Sequence, residues 1–291
     1  MYTTLISVSE LQALRASAAP LLVFDCSFDL TQPEAGRAMF AQSHIAGAVY
    51  ADLNTDLSAK GDPAITGAAS GGRHPLPSRE KFAQWLAGIG FDNTMQAVVY
   101  DRQGANYCGR LWWMLKWLGH DAVAVLDGGL QAWTAHGGAL ESGPQNTRPA
   151  APAAPFSVFT PKVALVDASS VLQQLGRASQ TIVDARATPR FKGEVEPLDP
   201  VAGHIPGALN RPFTQNLTPE GFFKPAAVLR AELEALLGTH PASSVVHHCG
   251  SGVSAIPNLL AMEIAGLRGS ALFSGSWSEW CGDPSRPFAK G

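Results

Sequence analysis

Short apolar runs and turn-forming residues alternate along this chain, and the alternation predicts buried strands separated by helices. Leu22-Val23-Phe24-Asp25, Val98-Val99-Tyr100-Asp101, Ile182-Val183-Asp184 and Val245-Val246-His247-His248 are short, rich in β-branched residues and closed by polar or glycine-rich turns. Helical patterns fall between such runs. Residues 84–87 belong to one that stops near Gly88-Ile89-Gly90, residues 110–118 form another ending at Gly119, and residues 226–237 form a third with charges at Arg230, Glu232 and Glu234. Strands alternating with helices of this length imply parallel sheets covered on both faces. The predicted fold class is α/β.

The pattern occurs twice. Ser43-His44-Ile45-Ala46-Gly47-Ala48 in the first half is answered by Gly203-His204-Ile205-Pro206-Gly207-Ala208 in the second. Likewise Val98-Val99-Tyr100-Asp101 is answered by Val246-His247-His248-Cys249, and Leu126-Asp127-Gly128-Gly129-Leu130-Gln131-Ala132-Trp133 by Phe273-Ser274-Gly275-Ser276-Trp277-Ser278-Glu279-Trp280. Anchors in the same order predict a duplicated domain. The expected boundaries are 1–142, a Pro/Ala-rich linker at 143–159, and 160–291, with the linker semi-rigid by composition.

The richest chemistry lies in Val245-Val246-His247-His248-Cys249-Gly250-Ser251-Gly252-Val253-Ser254-Ala255: a strand, an abrupt turn carrying a cysteine, and a helix expected from Val253 to Ala265 with Gly266 as its C-cap. Gly250 and Gly252 permit a tight turn. Consecutive backbone N–H groups and the positive end of the helix can then face one concavity, where a sulfur is stabilised as the reactive thiolate. A buried structural cysteine is the bland alternative. A phosphate-binding loop would close with arginine, whereas Ala255 and Ile256 stand there. Cys26, Cys108, Cys249 and Cys281 are far apart, and the adjacent His247 and His248 point to opposite strand faces, so no metal site is expected.

Composition narrows the classes. A chain of 291 residues with 46% apolar and 15% charged residues supports two ordinary cores. A net charge of -3 gives no footprint for nucleic acid, and the Trp112-Trp113 pair and Trp117 fit core packing better than base stacking. No apolar stretch approaches a membrane span, no secretory signal is apparent, and the dispersed cysteines do not form a disulfide framework. A reducing compartment, the cytoplasm, is the expected location.

Cys249-Gly250-Ser251-Gly252-Val253-Ser254-Ala255 resembles the active-site loop of the two-domain rhodanese-type sulfurtransferases, closest to their 3-mercaptopyruvate branch, whose loop typically reads C-G-S/T-G-V-T-A. In the thiosulfate branch the second and third loop positions are usually basic; here they are Gly250 and Ser251. The resemblance implies two tandem rhodanese-like domains, each a small parallel sheet with helices on both faces, and no cofactor. It implies a Cys249 persulfide that moves sulfur from a small anionic donor, 3-mercaptopyruvate or alternatively thiosulfate, to cyanide or a thiol such as a thioredoxin-like protein or a small thiol. A non-catalytic binding module or a persulfide carrier to a protein partner is the alternative from another class.

The resemblance also distributes roles. Cys249 and Ser251 are catalytic, and Arg190, before Phe191, binds the donor with Gly250, Gly252, Val253 and Ser254. Asp101 stands at the cysteine position of the first half, which is therefore expected to be catalytically silent. Fifty-seven positions separate His44 from Asp101 against forty-five from His204 to Cys249, which locates an insertion between Gly61 and Pro77. Within it, His74-Pro75-Leu76-Pro77 matches a family histidine that reaches the cysteine pocket; on the residues alone a solvated loop histidine fits equally. Arg186 and Arg110 fit structural roles better than binding.

Three departures stand out. The family's second arginine, about nine residues after the first, falls where this chain has Glu196-Pro197-Leu198-Asp199. Asn54 occupies the expected acidic position of a Ser–His–acid relay, with Asp52 and Asp62 as substitutes. Ser274 replaces an aspartate before Gly275-Ser276-Trp277-Ser278-Glu279-Trp280.

Overall fold

The computed structural model describes residues 1–17, 19–62, 71–144 and 155–291, so most of the expected linker and part of the expected insertion lie outside the described residues. The chain divides into two compact units. One comprises Met1–Ser58, Pro77–Lys162 and Pro219–Phe222; the other comprises Ala59–Leu76, Val163–Thr218 and Phe223–Gly291.

The first unit contains β1 (Leu5–Ile6), α1 (Val8–Ala16), β2 (Leu21–Asp25), α2 (Ala35–Gln42), β3 (His44–Ile45), β4 (Val49–Tyr50), α3 (Arg79–Gly88), β5 (Gln96–Tyr100), α4 (Cys108–Trp117), β6 (Val123–Leu126), α5 (Gly129–Ala135) and β7 (Leu140–Glu141). Five strands form a parallel sheet in the order β1-β6-β5-β2-β4, and β3 pairs antiparallel with β7. The second unit contains β8 (Ala164–Val166), α6 (Ala168–Gln173), β9 (Thr181–Asp184), α7 (Thr188–Phe191), β10 (Leu209–Asn210), α8 (Ala226–Leu237), β11 (Val245–His248), α9 (Ile256–Ile264), β12 (Ala271–Phe273) and α10 (Ser276–Trp280). Its parallel sheet runs β8-β12-β11-β9-β10, which is the first unit's order with each strand replaced by its counterpart. The duplication read from the sequence therefore extends to topology.

Every residue of β5, β6, β9 and β11 is buried. Successive strand residues face opposite sides, so both faces of each sheet's centre are covered. In the first unit Trp112, Trp113, Leu115 and Met114 of α4 are wholly buried, as core packing requires of an all-round apolar helix. In the second, Trp277 and Trp280 pack with Phe273, Ile182 and Val246. Tryptophan burial of this extent fits the core role expected of these residues, although the core pair in the second unit comes from α10.

Two helix starts differ from expectation. Helix α4 opens two residues early, at Cys108, because Asp101 accepts the N–H groups of Tyr107 and Cys108 and caps its first turn. Helix α9 starts at Ile256 rather than Val253, since Gly252 at φ +74° turns the chain and Pro257 lies at the helix start.

Candidate active site

Strand β11 is the centre of its sheet, and the turn beyond its carboxyl end carries Cys249, at the position where open α/β sheets place their ligands. Cys249 is buried, and its turn is fixed to α10 from both sides. The Cys249 N–H donates to Ser276 Oγ at 3.0 Å, Trp277 N–H donates to the Cys249 carbonyl at 3.0 Å, and Ser278 N–H donates to the Gly250 carbonyl at 2.9 Å. Ser276 is held at φ +55° and passes its own hydroxyl proton to the Phe273 carbonyl at 3.0 Å. A non-glycine residue at positive φ costs about 1–2 kcal/mol, which the three bonds to the cysteine turn offset. Gly252 is required for space as well as conformation: a Cβ there would lie 2.0 Å from the Ser274 carbonyl oxygen. That contact is with backbone, so serine in place of aspartate at 274 leaves it intact.

The first unit shows what such a turn binds. Asp101, at the end of β5, accepts N–H donors from Gln103 and Ala105 on one oxygen (2.9 and 3.0 Å) and from Tyr107 and Cys108 on the other (2.8 and 3.0 Å). The turn is an anion cradle filled by the chain's own carboxylate. At the corresponding positions of the second unit, the N–H groups of Ser251, Val253 and Ala255 donate to no acceptor among the described residues. Cys26 and Cys108 lie near Asp101, and burial, reinforced by the neighbouring carboxylates, pushes both thiols well above the usual range. They are neutral thiols.

Ser251 and His74 meet: Ser251 Oγ and His74 Nδ1 are 2.7 Å apart, and both residues are buried. The described part of the insertion, which includes His74, belongs to the same compact unit as Cys249 although it lies within the first repeat in sequence. It is seated on α10. Arg73 N–H donates to Ser278 Oγ at 3.1 Å, and Gly72, at φ +71°, passes so close that a Cβ would lie 2.5 Å from the Gly275 carbonyl oxygen. The Gly275-Ser276-Trp277-Ser278 segment thus positions both the cysteine turn and the histidine. Asp52, one of the acids considered for a relay, accepts the N–H groups of Asn54 and Thr55 in the first unit.

Arg190, on α7, stands beside the turn, with Nη1 3.6 Å and Nη2 3.8 Å from where a Gly250 Cβ would sit. Glu196 and Asp199 hold it: Nη2 donates to Glu196 Oε1 at 2.6 Å and to Asp199 Oδ2 at 3.2 Å. At the position of the family's second guanidinium this chain has Asp199, an acid that grips the first. A second guanidinium is nevertheless present. Arg73 pairs with the other oxygen of Asp199, and its Nη2 lies 2.8 Å from the same Gly250 Cβ position. Sequence reasoning missed Arg73; the acid pair in place of a base was the signal that a cation had to come from elsewhere.

The remaining charged groups brace the floor. Arg186 bonds both oxygens of Asp184, reaches Glu196 at 3.3 Å and lies 4.8 Å from the Trp277 ring centroid, the ion-paired role its sequence context indicated. In the first unit Arg102, at the Gly250 position, instead turns inward to Asp25, the counterpart of Asp184. Arg110 is wholly buried and donates to the Leu57 carbonyl. His247 contacts Met262 Sδ at 3.0 Å, and burial lowers its pKa to about 3; His248 lies 3.5 Å from Asp184. Burial also lowers His248, against the pull of Asp184. Burial raises Asp184, but His248 and Arg186 hold it below the usual carboxylate range. Among the described residues no cluster of three or more His, Cys, Asp or Glu side chains could hold a metal ion, and no helix is long and apolar enough to cross a membrane.

Comparison with known proteins decides the family. The model of the rhodanese-like domain matches residues 7–136 and again 167–283. The chain belongs to the rhodanese-like family. It is 45% identical to a probable 3-mercaptopyruvate sulfurtransferase from Pseudomonas aeruginosa, over 96% of this chain and 95% of that protein. It is 37% identical to a putative thiosulfate sulfurtransferase from Mycobacterium tuberculosis, over 99% and 97%. Among solved structures, 3-mercaptopyruvate sulfurtransferase from Leishmania major superposes with a TM-score of 0.83 at 31% identity, covering 96% of this chain and 74% of that one. This rhodanese-like chain is a sulfurtransferase with the tandem α/β fold expected from its sequence, and it acts on sulfur donors and acceptors.

Proposed function

We propose that the donor is 3-mercaptopyruvate and that Cys249 carries the sulfur as a persulfide, with the first unit catalytically silent. The Cys249 thiolate attacks the donor sulfur, the carbon–sulfur bond breaks, and its electron pair leaves on the methylene carbon as the enolate of pyruvate. The donor's thiol proton ends on that carbon, giving pyruvate and an anionic persulfide. In the second step a thiol or cyanide takes the outer sulfur and the thiolate is restored. Two displacements through one covalent intermediate give ping-pong kinetics.

The observation that carries this reading is the 2.7 Å contact of Ser251 with His74 beside the Cys249 turn. An enolate must be protonated as it leaves, so mercaptopyruvate chemistry needs a proton relay within hydrogen-bond reach. Sulfite leaving from thiosulfate needs none. Ser251 and His74 supply that path, the N–H groups of Ser251, Val253 and Ala255 stabilise the thiolate and the persulfide anion, and Arg190 binds the donor carboxylate. Gly250, Gly252 and Ser254 shape the turn. The acceptor is a thioredoxin-like protein or a small thiol of the cytoplasm.

The test is steady-state comparison of the two donors with cyanide as acceptor, using Cys249→Ser as control. A mercaptopyruvate preference that vanishes in the control is expected. A thiosulfate preference overturns the donor assignment and keeps the persulfide; the absence of Cys249-dependent turnover with either donor moves the chain to a carrier or binding role.

A further inference from the structure

We infer that Glu279 is a positioning residue for His74: its carboxylate, working with the Ser278 hydroxyl, holds the backbone of residues 71–73 on α10 and so fixes the imidazole against Ser251. The inference rests on the reading of His74 as a proton relay and extends it to the residue that delivers the histidine.

The contacts alternate along the segment. The Gly71 N–H donates to the Glu279 carboxylate, and the Arg73 N–H donates to Ser278 Oγ at 3.1 Å. Gly72 lies between them at φ +71°, where a Cβ would overlap Ser278 Oγ and lie 3.2 Å from the Glu279 nitrogen. Backbone therefore rests on backbone, and the next residue is His74, 2.7 Å from Ser251 Oγ. Glu279 reaches the segment by folding back over the start of its own helix. A Cβ at Gly275 would overlap its Oε2, so glycine at 275 leaves the space that the carboxylate occupies. Burial raises this carboxyl above its ordinary range, and Arg286 and the Gly71 N–H pull it back. A half-buried carboxylate gains from a fixed N–H donor, which gives the contact its strength.

The same short helix holds the nucleophile, since Ser276 Oγ takes the Cys249 N–H and the Ser278 N–H donates to the Gly250 carbonyl. Glu279 thus ties the histidine to the frame that carries the cysteine. The silent repeat does without this tie. Ala132 stands there at the position of Glu279, and Gly128 at that of Gly275. A Cβ at Gly128 would meet the Phe222 ring at 2.6 Å and Ala132 Cβ at 2.7 Å, and Phe222 belongs to the same compact unit. An apolar ring covers that helix start. Ring packing tolerates sliding, whereas two directional hydrogen bonds fix a backbone in one register. The carboxylate stands in the repeat whose covering segment carries a reactive side chain.

The test is hydrogen exchange of the Gly71 and Arg73 amides in wild type, Glu279→Ala and Glu279→Gln, read at residue level. Loss of the charged acceptor predicts exchange about 10- to 100-fold faster in Glu279→Ala, partial restoration by glutamine, and unchanged protection of the Cys249 and Ser278 amides. Loading by mercaptopyruvate is expected to slow toward the His74→Asn rate, while cyanide discharges the preformed persulfide at the wild-type rate. Unchanged exchange at Gly71 and Arg73 overturns the inference. An equal loss of protection at Cys249 and Ser278 overturns it too, because a merely structural glutamate would give that result. If Glu279→Ala does not fold, Glu279→Gln decides alone, with a smaller rise expected and no rise counting against the inference. Should His74→Asn leave loading unchanged, the relay reading fails separately, and the exchange rates still decide whether Glu279 holds the segment.

Discussion

Replacing His74 with asparagine separates proton delivery from every other contribution to the site. The imidazole lies 2.7 Å from Ser251 Oγ and is 3% exposed, with Ser251 at 6%, so bulk water has little access to take over its role. Asparagine can still hydrogen-bond the serine, which preserves packing and the unstrained turn, but it cannot hold or release a proton near neutral pH. A positioned acid–base group contributes about 10²–10⁴-fold, and the buried setting places the expected fall in kcat with mercaptopyruvate toward the upper part of that range. Thiosulfate supplies the internal control, because sulfite departs without a proton and its turnover depends on the same thiolate, cradle and acceptor step. The assay is therefore the ratio of kcat/KM for the two donors in wild type and His74→Asn, with thermal unfolding to verify that the variant is folded. A parallel decline with both donors would refute the relay and reduce His74 to a packing role.

Other expectations follow from the same contacts. Gly252→Ala combines an αL conformation with a Cβ 2.0 Å from the Ser274 carbonyl oxygen, and we expect a loss of about 2–4 kcal/mol in denaturant unfolding; a loss below experimental error would show that the turn relaxes. Ser251→Lys, which introduces the charge typical of the thiosulfate branch, should move the kcat/KM ratio toward thiosulfate, and an unchanged ratio defeats that reasoning. His247 is buried neutral, its pKa lowered to about 3 by burial and then by His248 and Arg211. A folded-state pKa below the unfolded value of about 6.5 means that the unfolded chain binds the extra proton first, so stability is full above pH 6.5 and falls as pH drops, at about 1.4 kcal/mol per pH unit for this group. His247→Gln should flatten the slope between pH 6.5 and 5; an identical slope in the variant would assign it to other groups.

Much of this architecture was legible because the chemistry is local. The Cys249 turn, the repeat anchors and the α8 limits each occupy a few contiguous residues whose conformational preferences agree, and the structure places them accordingly. What escaped was assembled across distance. Ser276 serves the cysteine turn through its Oγ and Ser278 through its backbone N–H, long-range contacts that the repeat anchor at 273–280 marks in sequence without specifying. Arg73 belongs to no motif of its own in sequence, and its partner Asp199 lies 126 positions away. The departure at Glu196 and Asp199 looked like a missing function when it was a rearranged ion pair: buried carboxylates need cations, and one of theirs comes from the insertion.

The central claim, that Cys249 is the sulfur carrier, is tested most directly by intact and peptide mass measurement after mercaptopyruvate is added without an acceptor. We predict a gain of one sulfur atom on the Cys249 peptide, removed by cyanide as thiocyanate and absent from Cys249→Ser. An unmodified Cys249, or a sulfur retained in the serine variant on Cys26, Cys108 or Cys281, would contradict the account.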